Sequence, residues 1–442
     1  MNRTMVAATL VVAGAWARVT LAQEKTQDSD AAGRAPPAAC THPSDADAVV
    51  RCALAVSPEV REARAQVDAA AGRRATAGVV LPSNPTLLAT TSNRRRPPPE
   101  QASVLNWSVV LSQEVEIAGQ RDARIDQADA AADAQARRVK VAEQEVAAAA
   151  LAAYYEALAS QEALRFASQL AATAQSLATY ADARAKEALV AGVEADVARA
   201  EAARIGLARF EAERRLSDAH AALAVLLDVD PKRLALPNAL PAAPPRTLPS
   251  GSLEDQALSL RGEVAAAEME RRVLESRLAL VRRERVPNPT ISAFFERGEI
   301  NDRIIGVGLS IPIPLPSPVG RTRAGEIAET LAQIRAAESS QELVRRRVRL
   351  EVARAVSAFQ TRNAAAALFA GDLLARAQAD LSALREAIGS RQLTLREALQ
   401  WQRSLIELLQ ADIDVRLALA LAWVDLRRVV GLPLSSATGG GQ

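Results

Sequence analysis

Hydrophobic and polar positions follow two periods in this chain, and the periods alternate along it. From Asp45 to about Val80 apolar residues return at helical spacing behind an N-cap at Ser44. A break is expected at Ser57-Pro58, because proline lacks the backbone N–H. Thr86 to Ser92 reads as a strand, and Asn93-Arg94-Arg95-Arg96-Pro97-Pro98-Pro99 as a polar loop. From Ser103 to Ile117 the period is two. Leu105, Trp107, Val109 and Leu111 fall on one face, and Asn106, Ser108 and Ser112 on the other. Gly119 closes that strand. A helical pattern without proline then runs from Gln120 to about Leu189, roughly 100 Å at about 1.5 Å per residue. Val139, Ala142, Val146, Ala149 and Ala153 form a heptad-like seam of small residues along it. The pattern breaks at Val190-Ala191-Gly192-Val193, and a second helix runs back to about Leu227.

The plan then repeats. Asn84-Pro85-Thr86 returns 204 positions on as Asn288-Pro289-Thr290, and the same offset pairs Leu54 with Leu258, Glu59 with Glu263 and Val60 with Val264. Each copy marks a helix handing the chain to a strand, since the residue before proline is pushed to extended geometry. Leu253 to Arg285 is helical, Thr290 to Glu296 a strand, Arg297 to Asp302 a loop and Ile304 to Ile313 a strand. Ile305, Val307, Leu309 and Ile311 face one way; Gly306, Gly308 and Ser310 face the other. A second long helix runs from Gly320-Arg321 to Ile388, Gly389-Ser390 breaks it, and Leu395 to Val430 returns. In the last helix Leu405, Leu408, Val415, Leu419, Ala422, Leu426 and Val429 form a stripe interrupted by Asp412. The organisation is therefore a signal peptide over 1–22, an extended segment over 23–43, a first repeat over 44–235, a Pro-rich linker over 236–250, a second repeat over 251–433 and a tail over 434–442. The first repeat holds the strand pair 86–117 and the helical hairpin 120–228; the second holds the strand pair 290–313 and the hairpin 320–430.

Composition adds an address and removes chemistry. Arg3, the apolar run Met5 to Val12, and small residues at Ala15-Trp16-Ala17 or Thr20-Leu21-Ala22 read as a secretory signal. Aromatic residues make up only 3% of a chain whose apolar share is 49%, which suits long, closely packed Ala-rich helices better than a thick core. A net charge of +2 gives no reason to expect nucleic acid. Cys40 and Cys52 could bridge in an oxidising compartment or remain two thiols; a bridge would pin the extended segment to the first helix. There is no Cys-x-x-Cys, no phosphate-binding Gly loop and no nucleophile elbow, so neither an enzyme nor a cofactor is expected. His42 and His220 are far apart, and a zinc or soft-metal site needs several such ligands. His220, between two alanines on a helix, reads as a packing or surface residue.

Alternating strands of about ten residues have the length and pattern of membrane β-strands. Open strand edges cannot sit in lipid, and even the smallest barrels need about eight strands. One chain supplies four, so subunits must combine. The tandem duplication, the helix–Asn-Pro-Thr–strand junctions, the Gly at each hairpin tip and the ending Leu432-Pro433 together resemble the TolC-like outer-membrane factor family over some 400 residues. The run Gln113-Glu114-Val115-Glu116-Ile117-Ala118-Gly119-Gln120-Arg121 is similar to the heavy-metal (CzcC-type) branch, though Ala118 and Gln120 replace its second Gly and its Lys.

The resemblance implies a mainly α fold with a small transmembrane β part. It would be a homotrimer whose twelve strands form one outer-membrane barrel joined to a periplasmic helical barrel. Its function would be the passive exit duct of a tripartite efflux system, with a periplasmic adaptor and an inner-membrane RND-type pump as partners and heavy-metal cations as one cargo class. A type I secretion or multidrug channel shares that fold; a poreless periplasmic coiled-coil scaffold is the rival of another class. The resemblance further implies adaptor docking at the tips, here Val190, Gly192, Val193, Gly389, Ser390 and Leu393. It places a periplasmic gate at Glu397, Gln400 and the first-half counterpart Asp196; Gln400 departs from the acidic pattern. Leu105, Trp107, Val109, Leu111, Ile305, Val307, Leu309 and Ile311 are expected to face lipid.

Overall fold

The computed structural model describes residues 40–95, 103–237, 252–297, 302–315, 319–320, 322–369 and 395–434. The expected signal peptide, most of the extended segment, all of the linker after its first two residues, the second hairpin tip and nearly all of the tail lie outside the described residues.

Ser57 makes the first break. Helix α1 (Ala46–Val56) ends on it and α2 (Pro58–Ala77) starts from it, with the Ser57 hydroxyl accepting the Val60 N–H at 3.2 Å. Proline at the first position of α2 loses nothing, because that N–H has no helical partner. Strands β1 (Thr86–Arg95) and β2 (Ser103–Glu114) follow. Helix α3 (Gln120–Lys186) then runs unbroken for 67 residues and α4 (Gly192–Leu227) returns along it. In the second repeat the expected single helix is two, α5 (Leu253–Leu260) and α6 (Gly262–Arg283). The break falls at Arg261, 204 positions after Ser57. Arg261 is buried and ion-paired to Glu263 at 2.7 Å and to Glu351. Strands β3 (Thr290–Arg297) and β4 (Arg303–Ser310) precede α7 (Ala324–Leu368) and α8 (Leu395–Val430).

The four strands form one antiparallel sheet in the order β1-β2-β3-β4. β1 continues three residues beyond its expected end, through Asn93 to Arg95. β4 stops at Ser310, so Ile311 lies just after the strand and not in it; Pro312 next to it has no N–H for a ladder.

The core is a string of clusters along the helices. Cys40, Val49 and Cys52 pack with Tyr154, Leu158, Leu223 and Leu227. Val352, Phe359, Leu419 and Leu426 form a second cluster, and Phe166, Leu170, Ile205 and Leu405 a third. The α8 stripe is buried at Leu405, Leu419, Leu426 and Val429 and half-buried at Leu408, Val415 and Ala422. Asp412, its interruption, is buried too, bonded at 2.7 Å to Arg416, which also holds Glu162 at 2.7 Å. Of the small-residue seam of α3, Ala153 is buried and Val139, Ala142 and Val146 are half-buried, whereas Ala149 is exposed; Ala147, Ala150 and Ala157 beside it are buried. Cys40 and Cys52 form a disulfide with Cα atoms 5.7 Å apart, and Thr41 accepts a backbone bond from Ala235 at 3.0 Å. The start of the described chain is thus tied both to α1 and to the end of the first repeat.

Candidate functional site: the sheet face and the hairpin tips

Cross-strand register decides what the sheet presents. Leu111 lies opposite Leu87 and Ala293; Val109 opposite Ala89 and Phe295; Trp107 opposite Thr91 and Arg297. Ile305, Val307 and Leu309 oppose Phe295, Ala293 and Ile291. Because side chains alternate across the pleat, these residues share one face. Seven of the eight expected lipid-facing residues lie in strands on this single face, and the Trp107 and Phe295 rings meet on it with centroids 5.2 Å apart. Val307 and Ile305 are 84% and 79% exposed, which an aqueous face does not favour. The opposite face is mixed: it carries Thr86, Thr90, Ser92, Asn106, Ser108, Ser112 and Ser292 together with Leu88, Val104, Val110 and Ile304, and Phe294 is laid across the bare backbone of Gly306.

The repeated Asn-Pro-Thr junction fixes the sheet on the helices. Asn288 donates to Glu114 at 2.7 Å and accepts from Gln120 at 2.9 Å; the Gln120 carbonyl accepts the Ala118 N–H at 2.9 Å. Gln120 is buried. Pro289 accepts the Val115 N–H at 2.9 Å, carrying the β2–β3 ladder one residue past the strand end. Gly119, with φ 71°, turns the chain into α3, and a side chain there would collide with the Arg283 guanidinium.

At the far end of α3 the reversal begins with Ala188, not Gly192. Ala188 takes φ 57°, and the Leu189 N–H reaches back to Arg184 at 2.9 Å, a Schellman closure. Gly192 is the first residue of α4, with open space around it. Val190 is half-buried; Gly192 and Val193 are exposed. Asp196 is exposed and pairs with Arg199 on its own helix, which reaches Asp182 on α3 at 3.5 Å. Glu397 and Gln400 are exposed at the start of α8; Gly389, Ser390 and Leu393 lie outside the described residues.

One group near the tip was absent from the sequence reading. Glu201 on α4 is only 5% exposed and accepts from Arg204 at 2.6 Å and from Arg403 of α8 at 3.1 Å. The Arg204 bond first, then that of Arg403, holds its carboxyl down to about 2 against the opposing effect of burial. Its signal in the sequence is an acid in the register of Ala195, Ala198 and Ile205, all buried. His220 is half-buried, and burial pushes its imidazole below the usual value. Among the described residues no cluster of His, Cys, Asp and Glu could hold a metal ion, and no helix is long and apolar enough to cross a membrane.

An apolar strand face on top of a 67-residue helix that reverses near its tip is a specific arrangement, and comparisons agree with it. Residues 49–228 match the model of the outer membrane efflux protein family. The match covers most of the first repeat. No curated protein matches the sequence. Among solved structures, CusC aligns with TM-score 0.73 at 16% identity over 88% of this chain and 92% of its own. The outer-membrane channel OprN gives 0.72 at 19% over 88% and 90%, and the outer membrane protein VceC from Vibrio cholerae 0.67 at 18% over 88% and 97%. At such identities the likeness concerns the fold, and it spans both repeats.

Proposed function

We propose that three copies close a twelve-stranded barrel and form the passive outer-membrane duct of a tripartite efflux assembly. The duct is fed by an inner-membrane RND-type pump through a periplasmic adaptor docked at the hairpin tips. The observation that carries this is the pair of open edges on β1 and β4, together with the register between them. Thr86 pairs with Ser112 in the first repeat as Thr290 pairs with Ser310 in the second. The two strand pairs are therefore copies of one another, and β2–β3 is the join between copies. Repeating that join between subunits sets β4 of one chain against β1 of the next. Leu111 opposite Ala293 becomes Leu309 opposite Ala89 of the neighbour. No edge is then left in lipid.

Cysteines at Ala89 and Leu309 test the join. Oxidised membranes should give covalent dimers and trimers from the double variant, and far fewer from the pair Leu88→Cys and Leu309→Cys. Trimers that form without any crosslink at 89–309 would discard this closure.

The run Gln113 to Arg121 favours heavy-metal cations as cargo over drugs or proteins. With no ligand cluster among the described residues, metal selectivity would lie in the pump. Three Glu397 carboxylates around one axis would narrow the closed end and attract cations. Glu397→Ala is expected to lower cation selectivity or raise resting conductance in planar bilayers; an unchanged channel removes Glu397 from the gate.

A further inference from the structure

We propose that the exposed face of α7 seats on α4 of a second copy of this chain, with Leu350 against Ala221 and Leu368 over Gly206. The proposal rests on the trimer reading above and names the helical contact that goes with it. Two features of these helices have no role within one chain. Leu343, Leu350 and Leu368 of α7 are exposed, Leu368 at 77%. They stand seven and then eighteen residues apart, about two and about five turns, so they share one face. Val352, Ala355 and Phe359 are buried on the opposite face, in a cluster with α8. Gly206 lies in the interior of α4, where glycine weakens a helix, and open space surrounds it.

The duplication supplies the occupant. Within one chain α3 packs on α4 of its own repeat and on α8 of the other. α7 packs on α8 of its own repeat. Repeating the arrangement between chains brings it α4 of a neighbour. Burial sets the match. Ala150, Ala153 and Ala157 cluster with α4 as Val352, Ala355 and Phe359 cluster with α8, an offset of 202 and two fewer than between the Asn-Pro-Thr copies. Leu223 and Leu227 of α4 correspond to Leu426 and Val430 of α8, an offset of 203; a left-handed residue, Asp228 or Gly431, follows each helix. Within the chain Ala148 shares a cluster with Val424, and Phe166 with Leu409. Between chains those positions are Leu350 with Ala221 and Leu368 with Gly206. At the first, large and small residues have changed sides, which conserves volume. At the second the pair is smaller, and a bare glycine lets the helices come closer. The ion pairs are not repeated. Glu162 and Arg416 correspond to Ala364 and Glu213, and Glu145 and Arg428 to Arg347 and Val225. Apolar fit stands where the seam within the chain has charge.

Crosslinking of the full-length protein in membranes decides it. The double variant Gly206→Cys, Leu368→Cys should give covalent dimers and trimers on oxidation; Cys40 and Cys52 are bonded to each other and do not compete. The pair at Ala89 and Leu309 is the control for barrel closure. Gly206→Leu should lower gel-stable trimer about fivefold by overfilling the seat. Its helical content should hold or rise, because leucine favours helix. Leu368→Ala in the same chain should restore the trimer. A parental trimer yield from Gly206→Leu overturns the seat. So does a 206–368 bond confined to single chains, which would fold α7 onto its own α4. No 206–368 link where 89–309 forms overturns the seam and leaves the barrel standing. Failure of both links removes the barrel reading, and this seam with it.

Discussion

Ala188 holds a left-handed backbone that costs an L-residue about 1–2 kcal/mol. Its φ of 57° is conformation that glycine adopts freely, so Ala188→Gly should stabilise the first tip by about 1 kcal/mol, read as a higher midpoint in thermal melting. Gly192 attracts the eye in the sequence, but the turn is made four residues earlier, where the α3 carbonyls need partners; local composition does not mark that position. Glu201 is the second residue-scale lesson. Its carboxyl is held at about 2, below the unfolded range near about 4.3, so its stabilisation is full above that range and is lost as pH falls through about 2. Arg403 is more than half exposed, which limits the pair. A double-mutant cycle of Glu201→Gln and Arg403→Gln should give about 1 kcal/mol of coupling at neutral pH, falling toward zero at pH 2. Additive single effects at neutral pH would mean that the contact does not join the two hairpins.

Among elements, the strands were the most legible. Alternation at Leu105 to Leu111 and at Ile305 to Leu309 puts each apolar set on one face whatever the strand ends are. The ends themselves were missed by up to three residues, because Arg94 and Arg95 have loop composition yet extend β1. Val109→Arg should reduce assembled trimer far more than Ser108→Arg, since a charge at mid-bilayer on the lipid face costs about 2–4 kcal/mol. Equal yields on semi-native gels would remove the assignment of Val109 to lipid. The helix break at Ser57 could be read from Pro58; the equivalent break at Arg261 could not, because a buried ion pair to a distant helix holds it. The disulfide was open on spacing alone, since its geometry depends on where α1 begins. Intact mass after alkylation should show no modified thiol at Cys40 or Cys52 in unreduced protein and two after reduction. Removing the bridge should cost about 2–4 kcal/mol.

At the scale of the molecule, duplication was plain in the sequence because Asn-Pro-Thr recurs with its flanks. The exact repetition of strand register was not, since it needs the pairing of β1 with β2 and of β3 with β4 to be seen together. That repetition has a consequence for counting. Six identical half-chains in a ring would have sixfold symmetry, whereas a fused pair allows alternate positions to drift apart. Gly119, the left-handed N-cap of α3, stands where Arg323 caps α7 in the second repeat, and Ser57 where Arg261 stands. The tips differ too, reading Val190-Ala191-Gly192-Val193-Glu194 in one and Ile388-Gly389-Ser390-Arg391-Gln392 in the other. A ring of three such chains therefore offers two kinds of groove in alternation. A partner that reads only what the repeats share would occupy six places around it, and one that reads either tip alone would occupy three.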